Sequence, residues 1–315
     1  MADNIIILKI GGSSITNKAH EETLDPESLK WFANLIACSV DESALSSSTR
    51  QANASNNSKP KPKFIVVHGA GSFGHHSAKR YGLRCGKSVF IDECHGATQQ
   101  SDGCLNDTDL QYQMEGLSKT RHSVQKLNSS IVNSLLDHGV NAVGISPGIS
   151  VPSLRAHGAT EGTYQSTTDG SYEGMKLLCQ SIYQSLQAGL VPIIHGDACL
   201  LYDGKRAGIL GGDTLVEGIA TLWEKSTDGY DDKFSISKVI FITDVAGVFT
   251  ADPKSDEDAV LIRQLRVNAD GEVSIDDEDN GSESALSVNV GGSSHAHDVT
   301  GGLKVRFLPA GLLLK

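Results

Sequence analysis

Phe64-Ile65-Val66-Val67-His68-Gly69-Ala70-Gly71-Ser72-Phe73-Gly74-His75 is the stretch on which the reading of this chain turns. Its four leading apolar residues form an unbroken run, which suits a short strand covered on both faces. The run passes directly into Gly69, Gly71 and Gly74, with His68 and His75 at the two ends. Glycines after a strand end let the backbone come within hydrogen-bonding distance of an anion, because no Cβ stands in the way. A histidine at the far rim then offers a donor to a phosphate. The plainer alternative is a tight strand-to-helix turn carrying two surface histidines.

The same pattern recurs on either side. Ile5-Ile6-Ile7-Leu8-Lys9-Ile10 is a second continuous run, followed by Gly11-Gly12-Ser13-Ser14, Thr16 and Lys18, a second candidate phosphate cradle. It is not a Walker A loop, since GxxxxGK[ST] does not occur. Val191-Pro192-Ile193-Ile194 leads into His195-Gly196-Asp197, and Val239-Ile240-Phe241-Ile242 into Thr243-Asp244. Gly211-Gly212 precedes a helix expected from about Asp213 to Trp223, with Asp213 a candidate cap. Further helices are expected over Leu24–Val40, opened by Asp25 and Pro26, over Leu117–His138 and over Tyr172–Leu190. Gly139 and Gly189 stop the last two. Strands alternate with helices, and glycine loops follow strand ends. This predicts an α/β fold: a three-layer α/β/α sandwich around a mainly parallel sheet, with ligands at its carboxyl edge. Several anion loops on one edge suit two phosphorylated ligands lying end to end, the geometry of phosphoryl transfer.

The 315 residues carry a net charge of −11, which argues against nucleic acid as a partner. No stretch approaches the length needed to span a bilayer, and Ile5–Leu8 is too short for a leader core, so the expected location is cytoplasmic. Six cysteines without a CxxC pair are expected to be reduced. Three polar segments, 43–63, 226–237 and 268–296, read as insertions, and the stretch from His75 to about Glu115 as irregular. A literal GxGxxG over Gly69–Gly74, with Asp92 downstream, also admits a dinucleotide-dependent oxidoreductase. Gly82 and Gly86 argue against it, because they interrupt the continuous helix which that fold requires.

Taken together, KIGGSSIT with Lys18, HGAGSFGH, ILGGD, TDVAGVF followed by DP, and DVTGG resemble the amino acid kinase superfamily. Within it they are most similar to the isopentenyl phosphate kinases. The resemblance runs from about Ile5 to Gly302, and HGAGSFGH with its terminal histidine is its specific part. It implies a single domain over 1–315 with the carbamate kinase-like fold, an acceptor half to about residue 200 and a nucleotide half beyond. It implies ATP-dependent phosphorylation of isopentenyl phosphate to isopentenyl diphosphate with Mg2+, in a homodimer. A kinase of another small phosphate and a non-catalytic member of the fold are the alternatives. By the same resemblance Lys9, Lys18 and His75 are the catalytic candidates. Ala70, His75 and Gly212 would hold the acceptor. Lys9, Ile10, Gly11, Gly12, Ser13, Gly71, Asp244, Gly302 and Arg306 would hold ATP. Arg306 stands where the family has lysine, with Lys304 a possible substitute. The family continues well past this glycine pair, so the C-terminal part reads as truncated.

Overall fold

A computed structural model describes residues 2–40, 62–83, 107–148, 170–200, 207–225, 233–243, 247–250, 256–263, 265–267 and 273–275. Among the described residues five strands form the central sheet: β1 (Asp3–Ile10), β2 (Lys63–His68), β3 (Ala142–Ile145), β4 (Val191–His195) and β7 (Phe234–Ile242), in the order β3-β4-β2-β1-β7, while β5 (Asp197–Leu200) pairs with β6 (Ala207–Leu210) and β8 (Val248–Phe249) with β9 (Leu261–Ile262) outside it. Every pairing in it is parallel, so all five carboxyl ends lie on one edge.

The continuous apolar runs have the cause expected of them. Successive strand side chains point to opposite faces, and both faces are buried. Ile5, Ile7, Ile65, Val67 and Ile194 pack under α4 (Gly170–Gln187) and α5 (Gly212–Lys225). Leu8, Ile10, Phe64, Val66 and Ile193 pack under α1 (Pro26–Val40) and α3 (Asp107–Asp137). The result is the three-layer sandwich. Asp25 caps α1 as expected: its carboxylate accepts the Ser28 amide at 3.2 Å and the Ser28 hydroxyl at 2.8 Å. Gly139 and Gly189 end their helices at φ +78, where the following amides reach back to Leu135 and Ser185.

Four boundaries depart from expectation. α3 begins ten residues earlier than Leu117, and α2 (His75–Arg80) occupies part of the stretch read as irregular. The early turns of α3 are buried through polar groups, Asp109 and Gln113, and through Gly116, which lies against the Tyr81 ring. An apolar stripe is the wrong signal for such a face. β7 starts at Phe234, inside the supposed insertion 226–237. Among the described residues it lies at the edge of the sheet, and its first half alternates buried Phe234 with exposed polar residues. Ser237 is the extra residue of a bulge between Ile5 and Ile6, and its hydroxyl donates to the Ile5 carbonyl at 2.9 Å. The third segment, 268–296, includes β11 (Val273–Ile275), which pairs with β10 (Leu265–Val267). Of the first, 43–63, the described residues are 62 and 63, and Lys63 begins β2. Among the described residues no helix is long and apolar enough to cross a membrane.

Candidate active site

At the carboxyl edge each loop leaves its strand by extending the sheet ladder one step. The amide of Gly11 donates to the Ile242 carbonyl, that of Gly69 to Ile10, and that of Gly196 to His68, each at 2.8 Å. The first glycine of each loop is therefore fixed. Gly11, expected to donate to phosphate, commits its amide to the sheet.

Beyond that step the two glycine loops press together. A Cβ on Gly12 would overlap the backbone of Gly71, and one on Gly71, whose φ is +51, would overlap Thr16 Oγ1. Only glycine allows this approach. From the other side Gly212 opens α5 with its Cα beside His68 and Gly69; a Cβ there would stand 3.7 Å from the His68 carbonyl oxygen. Asp213 is the second residue of α5, not its cap, and its carboxylate meets the Lys9 ammonium at 3.0 Å. Lys9 is only 14% exposed and lies 5.9 Å from the centre of the Phe241 ring. Lys9, Ile10, Gly11, Gly12, Ser13, Ala70, Gly71 and Gly212 thus gather at one edge. His75 begins α2, one residue after Gly74, where an added Cβ would overlap that of Ala70. Lys18 lies in a loop closed by the Asn17 amide donating to the Thr23 carbonyl at 2.9 Å, and His76 Nε2 donates to its carbonyl at 3.0 Å. Asp244, Gly302, Lys304 and Arg306 lie outside the described residues.

His68 is not a surface histidine: it is fully buried, against His195 in register on β4. Each ring presents Nδ1 to the carbonyl of its next residue at 3.0 Å, so Nδ1 carries the proton in both. His68 Nε2 then accepts from Asn128 Nδ2 at 3.1 Å, and the same amide donates to the Ile193 carbonyl. Beside them Asp197 is enclosed, accepting from the amides of Gly148 and Ala198 and meeting the Arg121 guanidinium at 3.0 Å. Burial pushes both imidazoles down, His68 to about 3, where His195 adds to the effect, and His195 to about 4. Burial pushes the Asp197 carboxyl up to about 6, against the pull of Arg121.

These shifts set the acid response of the fold. Between about pH 4 and 6.5 the folded chain binds fewer protons at the two histidines than the unfolded chain does. Their contribution is complete above 6.5 and is lost as pH falls. Asp197 acts in the opposite sense below pH 6, and two groups outweigh one. The urea midpoint is expected to fall from pH 6.5 to 4, and His68→Gln should flatten that fall. An unchanged slope in that variant would remove His68 as a cause.

Sequence reasoning missed several of these groups. Asp213 was legible only as a helix opener. Arg121 and Asn128 sit on α3 without any local signal. Ser14 Oγ, beside Gly11, is enclosed without a hydrogen-bond partner, a feature invisible before the loop is built.

A sequence profile described as the Amino acid kinase family matches residues 4–314. The isopentenyl phosphate kinase of Methanothermobacter thermautotrophicus is 30% identical over 260 residues, covering 82% of this chain and 74% of that protein. That of Arabidopsis thaliana is 28% identical over 334 residues, covering 98% and 83%. Among solved structures, an X-ray structure of isopentenyl phosphate kinase superposes with a TM-score of 0.57 at 27% identity, over 82% of this chain and 79% of the other. A product complex of the T. acidophilum isopentenyl phosphate kinase, at 22% identity and a TM-score of 0.52, shares the fold over 85% of this chain and 82% of its own.

Proposed function

The chain belongs to the amino acid kinase family, in its isopentenyl phosphate kinase branch, and we propose that it transfers the γ-phosphoryl group of ATP to isopentenyl phosphate, giving isopentenyl diphosphate and ADP. The observation that carries this is the abutment of Gly12 on Gly71 with Lys9 beside it, two anion loops joined at one charged edge.

In this reading a phosphate oxygen of the acceptor forms a bond to the γ-phosphorus as the bond from that phosphorus to the β-bridging oxygen breaks, and ADP leaves. The nucleophile is already ionised at neutral pH, so the chain supplies alignment and charge neutralisation rather than a strong base. Lys9 meets the transferring group. Gly12 and Ser13 donate to the nucleotide phosphates, with Ile10, Gly11 and Gly71 forming the wall behind them. Ala70, Gly212 and His75 hold the acceptor phosphate, and Lys18 neutralises charge from the far side. Asp244, Gly302 and Arg306 complete the nucleotide side, and the acceptor and nucleotide halves divide near residue 200.

Magnesium belongs to the same proposal. When bound it would offset phosphate charge. Homodimeric assembly is supported by Trp31 and Leu35, exposed apolar residues one turn apart on α1. Cytoplasmic location is supported by Cys38 and Cys179, which form no disulfide among the described residues.

An ADP-release assay with isopentenyl phosphate tests the reaction directly. His75→Ala is expected to lower kcat by about 10²- to 10³-fold, the scale of losing one positioned donor to a developing charge. ATP affinity, measured by calorimetry, should stay within about twofold, since His75 serves the acceptor. Normal turnover in that variant would withdraw the assignment.

A further inference from the structure

The hydroxyl of Thr16 lies where the two glycine loops meet. It donates to the Gly12 carbonyl at 2.7 Å and accepts the Ser72 amide at 3.0 Å. Both residues are nearly enclosed, Thr16 at 4% and Ser72 at 1% exposure. A hydroxyl has one proton and can both donate and accept, so it can join a carbonyl to an amide where neither a methyl nor a carboxylate could. Gly12 belongs to the loop after β1 and Ser72 to the loop after β2.

Ser72 continues the chain of bonds. Its own hydroxyl donates to the Thr23 carbonyl at 3.0 Å and accepts the Thr23 amide at 3.1 Å, while its carbonyl accepts the Glu22 amide at 3.2 Å. Residues 17–23, the loop that carries Lys18, are closed at the base by an antiparallel bridge between Thr16 and Leu24. They are therefore seated on Ser72 by three bonds. His76 holds the Lys18 carbonyl at 3.0 Å. Outside, Glu22 and Glu21 pair with Lys126 and Arg80, each at 2.9 Å, but these groups are solvent-exposed and weakly held.

We propose that Thr16 and Ser72 are positioning residues for the transfer: the Thr16 hydroxyl sets the separation of the two phosphate loops, and Ser72 seats the Lys18 loop upon them. Neither touches substrate. The inference rests on the kinase reading above and adds to it what holds donor and acceptor in line. A displacement of about 1 Å is enough to cost such a reaction some 100-fold. Thr16→Val keeps the branched shape and leaves the Gly12 carbonyl and the Ser72 amide without their partner. Thr16→Ser keeps the hydroxyl.

The test is steady-state kinetics of the full chain with ATP and isopentenyl phosphate. Thr16→Val should lose about 30- to 100-fold in kcat with both KM values within about threefold, and Thr16→Ser should stay within about threefold of wild type throughout. Ser72→Ala, which keeps the Thr16 bonds but removes those to Thr23, should lose about tenfold in kcat. Three results overturn the inference: a Thr16→Val enzyme with wild-type kcat, a Thr16→Ser enzyme as impaired as Thr16→Val, or a loss confined to KM. If Thr16→Val does not fold, Ser72→Ala decides, and wild-type kcat there overturns the proposal. A wild-type chain that consumes no ATP with isopentenyl phosphate overturns the kinase reading itself, whereas an active wild type with an unaltered Thr16→Val overturns only the positioning role.

Discussion

Lys9→Met is expected to lower kcat by about 10³-fold, the scale of removing a clamping cation from a phosphoryl group in transfer. Lys9 is the penultimate residue of β1, so its backbone is fixed by ladders to β2 on one side and β7 on the other. Its ammonium is held a second time, at 3.0 Å from Asp213 near the start of α5. A flexible four-carbon stem is thus confined to one placement before any substrate arrives, which is what preorganisation requires. Methionine is close to lysine in length and fills the space over Phe241, so the core should tolerate it. Asp213, 44% exposed, can turn to water when its partner is gone, and the loss in stability should stay near 1 kcal/mol or less. A large fall in kcat with little change in the urea midpoint is the expected signature. Lys9→Arg should recover only part of the rate, because a planar guanidinium does not reproduce a compact ammonium. If Lys9→Met turns over within tenfold of wild type, Lys9 does not meet the transferring group.

The sheet and its loops could be read before the fold was known because their causes are local. A strand buried on both faces must carry an unbroken apolar run, as β1 does over Ile5–Leu8, β2 over Phe64–Val67 and β4 over Val191–Ile194. A loop that two backbones must share must carry glycine at the point of contact, as Gly12 and Gly71 do. The features that escaped have distant causes. Gln113 is buried because its side-chain oxygen accepts the Ala207 amide at 3.3 Å. That partner is far along the chain, so the first turns of α3 looked like loop. The plainer alternative put His68 at the surface because Asn128 and His195, which enclose it, come from a helix and a strand far along the chain. The start of β7 looked like an insertion because an edge strand keeps one side polar. Of the site, the phosphate loops, Lys9, Lys18 and His75 stand out by type and spacing. Asp213, Thr16, Ser72, Asn128 and Arg121 acquire a role only when the elements are brought together.

Gly12→Ala is the second large effect expected, and it separates steric need from mere flexibility. A Cβ on Gly12 would overlap the Gly71 amide nitrogen, stand 2.5 Å from the Gly71 Cα and lie 3.1 Å from the Ala70 carbonyl carbon. All three are backbone atoms, so no rotamer change relieves them and the loops must part. Overpacking of this kind costs roughly 1–3 kcal/mol. The functional cost should be larger, at least about 10²-fold in kcat, because the parting opens the line between donor and acceptor that the site exists to hold. Gly139→Ala is the matching control. Its φ is +78, yet nothing lies within 4 Å of the added Cβ. It should lose about 1–2 kcal/mol through left-handed backbone strain alone and leave kcat untouched. Thermal unfolding and turnover measured side by side on the two variants decide the matter. A Gly12→Ala enzyme within threefold of wild-type kcat, or a Gly139→Ala enzyme equally impaired, would show that the contact between the glycine loops is not what aligns the phosphates.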